Sequence, residues 1–211
     1  MPTLDQARAY YAAADPVHGY DHIVRVYRMA ERLAQAEGAD LEIVRAAAIL
    51  HDAEGTAPGG AERANHHFSS AEFAAGVLQA EGWPAERIAA VQHCIRAHRY
   101  RDNREPPATI EAKVIFDSDK LDVLGAIGAC RTAAYAAMDG QPFFAEPSAQ
   151  FIATGEKLPG EPHSAYHEYL FKLSKIKDRL FTPTARALAE QRHAYLHDFF
   201  ERLQSEWYGK S

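Results

Sequence analysis

The amino-acid sequence predicts an all-α protein, on three observations. Apolar residues recur at three- and four-residue steps through most of the chain, residues that start and stop helices bracket those stretches, and no stretch alternates apolar with polar residues for the length of a strand. There is neither an internal repeat nor a low-complexity tract.

In DHIVRVYRMAERLAQAE (21–37), Ile23, Val26, Met29, Ala30, Leu33 and Ala34 form the stripe of an amphipathic helix, which Gly38 ends. LEIVRAAAILHD (41–52) is apolar all round and reads as a buried helix, closed by Glu54-Gly55 and Pro58-Gly59-Gly60, with His51 and Asp52 at its C-terminal end. Ser69 followed by Glu72 is a capping-box pattern that predicts a helix over about 70–81. Pro84 predicts the start of another, running to about 98. After Pro106-Pro107, IEAKVIFDSDKLDVLGAIGACRTAAYAAM reads as one long helix, kinked near Gly125 and Gly128. Residues 139–163 hold Gly140, Pro142, Pro147, Gly155, Pro159, Gly160 and Pro162, and read as a loop or insertion, open to a role as a lid. Helices are expected over about 164–180 and 183–206, the second with Thr182 as N-cap and Pro183 in its first turn.

A chain of 211 residues with 47% hydrophobic and 25% charged residues fits one globular domain spanning 1–211. Its 29 acidic against 23 basic residues, a net charge of -6, exclude a broad nucleic-acid surface, which needs many Lys and Arg contacts to phosphate. The N-terminus lacks the basic-then-apolar pattern of a secretory signal, and runs such as AAAIL (46–50) fall far short of the roughly 20 residues that span a bilayer. Cys94 and Cys130 make no disulfide framework and no CxxC pair, which fits a reducing, cytoplasmic setting. Phe199, Phe200, Leu203 and Trp207 suit either a core or a homo-oligomer interface.

Imidazole with carboxylate is the usual ligand mixture of a hydrolytic metal site. His22 opens one expected helix, His51-Asp52 ends a buried one, and Asp119 lies inside a third. A carboxylate at a buried helix C-terminus suffers both desolvation and the macrodipole, and a bound cation relieves both.

The order DHIVRV (21–26), AAAILHDAEG (46–55) and FDSDKLDVLGAIG (116–128) resembles the H…HD…D pattern of the HD-domain metal-dependent phosphohydrolases. Similarity extends to EGADLEIVRAAAILHD and to the tail FKLSKIKDRLFTPTARALAEQRHAYLHDFF, which resemble the branch that includes bacterial nucleotide pyrophosphatases. The resemblance implies a compact helical fold with the metal among central helices, and four ligands: His22, His51, Asp52 and Asp119. Asp117 is two residues before Asp119 and projects away from it, whereas Asp122 is three after and shares its face, as a neighbour able to orient a ligand or water.

The expected chemistry is hydrolysis of a phosphoester or phosphoanhydride by metal-activated water. Asp52 or Asp119 would hold the water, with Glu54 or Asp122 as base. The ligand set suits Mn²⁺, the expected ion, or Fe²⁺, Co²⁺, Ni²⁺ or Zn²⁺, better than Mg²⁺ alone. The run IRAHRYRDNR (95–104) sets Arg96, Arg99, Arg101 and Arg104 against Asp102, and reads either as a solvated helix end or as a phosphate clamp. From the resemblance, Arg25, Lys120, Arg131 and Lys172 join Arg99 and Arg101 on the substrate side, where His98 is expected as well.

The implied substrate is a small phosphorylated molecule, foremost a nucleoside triphosphate cut to monophosphate and pyrophosphate. The alternatives are a phosphomonoesterase or phosphodiesterase acting on nucleotides, or a non-catalytic nucleotide-binding module. Some HD proteins hold a second metal through further histidines; His66, His67, His93 and His98 are the candidates here, although the spacing of five between His93 and His98 puts them on different helix faces. His18 is expected in a loop, and His163, His167, His193 and His197 on the surface.

Overall fold

The structure is a computed structural model that describes residues 1–11, 19–54, 65–100 and 104–210. Among the described residues there are ten α-helices and no strand, so the protein is all-α. They divide into two compact units, Met1–Lys120 with Leu180–Ala185, and Leu121–Arg179 with Arg186–Ser211. No helix among the described residues is long and apolar enough to cross a membrane.

The first unit is built on α1 (Leu4–Ala7), α2 (Tyr20–Glu37), α3 (Leu41–Leu50), α4 (His66–Ala80), α5 (Ala85–Ala97) and α6 (Ile110–Leu121, up to Lys120). Helix α2 buries Ile23, Val26, Ala30, Leu33 and Ala34, the predicted stripe, and stops at Gly38, whose φ of 72° is the left-handed cap that glycine adopts without strain. Asp40 caps α3 by accepting the N–H groups of Glu42 and Ile43. Arg87 on α5 grips the same carboxylate with both terminal nitrogens, at 3.0 and 3.1 Å. Helix α3 buries Val44, Ala46, Ala47, Ala48, Ile49 and Leu50 because α1, α2, α4 and α5 all pack on it. Its alanines let neighbouring backbones approach closely, and a helix apolar on every face has nowhere to go but the centre.

The capping-box expectation at Ser69 is not met. Helix α4 begins at His66, three residues earlier, so His66 and His67 lie in its first turn rather than before its cap. Ser70, buried, is engaged with the backbone of Glu54 in both directions, at 3.1 and 3.3 Å, and Glu72 accepts the Gln92 amide. Pro84 sits at the N-cap of α5, not inside its first turn.

The expected long helix after Pro107 is two helices, α6 and α7 (Gly125–Met138), broken at 122–124. The second unit contains α7, α8 (Ala149–Thr154), α9 (Ala165–Phe171), a 3₁₀ segment at Leu173–Arg179, and α10 (Pro183–Trp207) from Arg186 onward. The expected helix over 164–180 is therefore an α-helix followed by 3₁₀ turns. The stretch 139–163 contains α8 and is stitched by Glu161, whose carboxylate accepts the Ser148 N–H and hydroxyl and the Leu158 N–H at 2.7–2.8 Å. The buried His167, expected on the surface, spans the same carboxylate at 3.1 Å and the Ser164 hydroxyl at 2.7 Å. In this unit's core Tyr169 stacks on Phe200 with centroids 4.5 Å apart, and Phe144 packs on Tyr166 and Trp207. Phe200 is thus a core residue, whereas Phe199 and Trp207 are exposed.

Candidate functional site

Four expected ligands meet in the first unit, delivered by three helices. His22 comes from the first turn of α2, His51 and Asp52 from the turn that ends α3, and Asp119 from the last turn of α6. His22 Nε2 lies 3.8 Å from Asp52 Oδ2 and 3.5 Å from Asp119 Oδ1, and His51 Nε2 lies 3.8 Å from Asp52 Oδ2. An ion about 2.1 Å from each donor separates its ligands by roughly 3–3.5 Å. Donor atoms of His22, His51 and Asp119 all lie within 4.8 Å of one another, and so do those of His51, Asp52 and His98.

Two further imidazoles come from α4 and from the end of α5. His66 Nε2 and His98 Nε2 approach the other oxygen of Asp52, Oδ1, at 3.3 and 3.4 Å. Asp52 therefore has two imidazoles on each oxygen. Of the further histidines, these two reach Asp52. His67 packs its ring on Phe68, and His93 pairs with Glu105 at 2.6 Å and accepts the Ala108 N–H at 3.1 Å. The separation of five residues thus splits His93 and His98 onto different partners, as helical geometry dictates.

Protonation follows from the hydrogen bonds. His51 Nδ1 lies 2.9 Å from the Ala48 carbonyl and His98 Nδ1 lies 2.6 Å from the Ile95 carbonyl. A carbonyl only accepts, so each Nδ1 carries the proton and a neutral ring offers its Nε2 lone pair to the carboxylate. Lone pairs then face lone pairs in a buried space: His51 Nε2 and Asp52 Oδ1 have no hydrogen-bond partner. Burial alone raises a carboxyl pKa, but the imidazoles of His51, His66 and His98 outweigh it and hold Asp52 well below the usual range. At Asp119 burial is outweighed by Lys120 first and then by His22, again downward. Burial pushes His98 below its ordinary value against the pull of Asp52. The rings of His22, His51, His66 and His98 lie with centroids 5.1–5.5 Å apart around the two carboxylates, and the Lys120 ammonium is on Asp119. A divalent cation satisfies the orphaned acceptors and the charge together, so this donor set fits one.

Around the cluster, the Lys120 ammonium is ion-paired with Asp119 Oδ2 and sits 5.3 Å from the Phe116 ring centroid. Arg25 holds Asp21, one turn back on α2. Glu54 is exposed, with its main chain fixed by Ser70. The arginine run is partly neutralised by a residue that sequence reasoning missed: Glu105 takes a fork from Arg96 at 2.6 and 3.1 Å. Arg104 lies over the Phe68 ring and donates to Asn65, and Arg99 is half-buried after the end of α5. Arg101, His18 and the Pro58-Gly59-Gly60 closure lie outside the described residues. Asp117 is buried and spent on structure, accepting the Phe181 and Thr182 N–H groups and the Thr182 hydroxyl at 2.7–2.9 Å. In the second unit, the buried Arg131 is ion-paired with Asp122, and Lys172 lies 3.3 Å from Glu168.

Comparison with known proteins agrees with this geometry. The family model of the HD domain matches residues 19–124, which contain all four expected ligands. YpgQ of Bacillus subtilis is 31% identical over 192 residues, covering 90% of this chain and 84% of that protein. The crystal structure of YpgQ in complex with ADP superposes with a TM-score of 0.75 at 28% identity, over 99% of this chain and 100% of that one. An HD-superfamily hydrolase from Bacillus thuringiensis superposes with a TM-score of 0.69 at 27% identity, over 98% and 93% of the two chains. The chain therefore belongs to the HD-domain family and is a metal-dependent phosphohydrolase.

Proposed function

We propose that the protein hydrolyses a nucleoside triphosphate to monophosphate and pyrophosphate at an ion, foremost Mn²⁺, held by His22, His51, Asp52 and Asp119. The observation that carries this reading is the convergence of buried, unpartnered lone pairs on the Asp52 carboxylate. When bound, a transition ion of this kind acidifies water and polarises a phosphoryl oxygen. The mixture of imidazole and carboxylate favours Mn²⁺ and its neighbours in the first row over Mg²⁺. Asp52 and Asp119 stay ionised at neutral pH and orient the attacking water through their oxygens. Glu54 is the proposed base, since its side chain is exposed while its main chain is fixed to Ser70. Asp122, in the second unit, is taken up by its ion pair with Arg131. Lys120 supplies the phosphate contact by exchanging Asp119 for a substrate oxygen, and Arg25, Arg99 and Arg101 of the same unit's chain supply further positive charge. YpgQ, solved with ADP, supports a nucleotide as ligand. Two free cysteines suit a reducing cytoplasm.

A second reading rests on His66 and His98, which together with Asp52 would hold a second ion. It favours a two-metal phosphomonoesterase or phosphodiesterase. One experiment separates the two: the Mn²⁺-loaded chain is offered nucleoside triphosphates, monophosphates and cyclic nucleotides, with products resolved and bound metal counted. Pyrophosphate release with one ion per chain supports the first reading. Orthophosphate release or ring opening with two ions replaces it with the second, and binding without turnover overturns both.

A further inference from the structure

Helix α3 has to stop where its function begins. In an uninterrupted helix the N–H of Ala53 would bond to the carbonyl of Ile49; instead it goes to Leu50 at 3.4 Å, tightening the chain into the turn that carries His51 and Asp52. The Ile49 carbonyl is thereby left without its helical donor, deep in the core and at the negative end of the helix dipole. Its partner comes from 38 residues earlier: the Tyr11 hydroxyl donates to Ile49 O, while the main-chain N–H of Asp52 faces the same phenol oxygen. The tyrosine is buried, immediately after the short 3₁₀ turn of Arg8–Tyr10. One hydroxyl thus stands between the carbonyl of residue 49 and the amide of residue 52, the two groups that a tightened 3₁₀ turn would otherwise join.

We propose that Tyr11 is a positioning residue for the metal centre, its hydroxyl holding α3 open so that His51 and Asp52 are presented to the ion. This rests on the reading of His22, His51, Asp52 and Asp119 as ligands. The phenol's hydrogen bonds go to the backbone that aims two of the ligands, at Ile49 and Asp52. Groups that orient ligands in this way change metal affinity roughly 10–100-fold when lost.

The test uses the full chain, freed of metal and titrated with Mn²⁺ against a competing chelator. Tyr11→Phe removes the hydroxyl alone and is expected to weaken Mn²⁺ binding about 10-fold or more. Thr3→Ala is the control: it breaks the cap of α1, loosening the same N-terminal segment without touching the hydroxyl, and is expected to keep wild-type affinity. Placing 4-aminophenylalanine at position 11 restores a donor to the same point and is expected to recover most of the affinity. Wild-type affinity in Tyr11→Phe, an equal loss in Thr3→Ala, or no recovery with the amino analogue overturns the proposal. Failure of the wild type itself to bind Mn²⁺, with Asp52→Ala indistinguishable from it, overturns the ligand reading and this proposal together.

Discussion

Asp117→Ala should be among the most damaging substitutions in the first unit, although Asp117 ligates nothing. Its carboxylate is fully buried and accepts three hydrogen bonds, from Phe181 N at 2.9 Å and from Thr182 N and Oγ1 at 2.7 Å each. Truncation strands the two Thr182 donors, which are buried, at about 1–3 kcal/mol each, and breaking a buried charged network costs about 3–5 kcal/mol in all. At roughly 2–4 °C per kcal/mol for a chain of this length, the midpoint of thermal unfolding should fall by about 6–20 °C. Asp117→Asn keeps the shape and one acceptor but turns an amide N–H₂ toward donors, and should lose about half as much. Thermal unfolding followed by circular dichroism on both variants and the wild type reads the effect. An Asp117→Ala midpoint within about 2 °C of wild type would refute the clamp.

Mn²⁺ at 100 times its dissociation constant should stabilise the wild type by about 2.7 kcal/mol, a rise of roughly 5–11 °C, and Asp119→Ala should erase most of it; calorimetry with and without the ion decides. Gly128→Ala should destabilise, because its Cβ would lie 2.2 Å from the Val123 carbonyl oxygen, whereas Gly76→Ala, with open space around it, should gain about 0.5–1 kcal/mol; the two signs are compared by urea unfolding. In the second unit the hydrogen bonds from the Ser148 and Leu158 backbone hold Glu161 down to about 2 from its ordinary 4.5, so its contribution is complete above pH 4.5 and lost as pH falls toward 2. Burial lowers His167 from 6.5, so protonation starts to cost stability as pH drops below that value. The stability gap between wild type and Glu161→Gln should therefore be widest above about pH 5 and close on acidification, as read by denaturant midpoints across pH.

Much of the fold was legible because helical burial writes itself as periodicity. The stripe of α2 and the apolar girth of α3 needed nothing beyond the chain. The start of α4 was not legible, because the Ser-x-x-Glu pattern at Ser69 has the chemistry of a cap while tertiary partners claim its neighbours: Glu54 takes Ser70, and Gln92 takes Glu72. The break after Leu121 reads in the sequence as a kink, since local sequence does not say whether a helix bends or stops. At the site, residue types and order pointed to His22, His51, Asp52 and Asp119, and the structure brings them together. That His66 and His98, rather than His67 or His93, reach Asp52 depends on the packing of α4 and α5, and so does the capture of Arg96 by Glu105. Tyr11 left no trace, because a hydroxyl bound to a distant backbone carbonyl has no spacing rule to betray it.

The metal-bearing unit takes its last strip of chain from Leu180–Ala185, which reaches back to Asp117 and, through Thr184, to Glu37 at 2.9 Å. During synthesis, residues 1–120 leave the ribosome with those two carboxylates unmatched, and roughly 60 further residues must follow before the strip arrives. The unit's completion is therefore tied to synthesis of the second, whose residues 121–179 lie wholly inside the loop being closed. A fragment cut to the 19–124 family match would carry every expected ligand and still lack the segment that Asp117 binds.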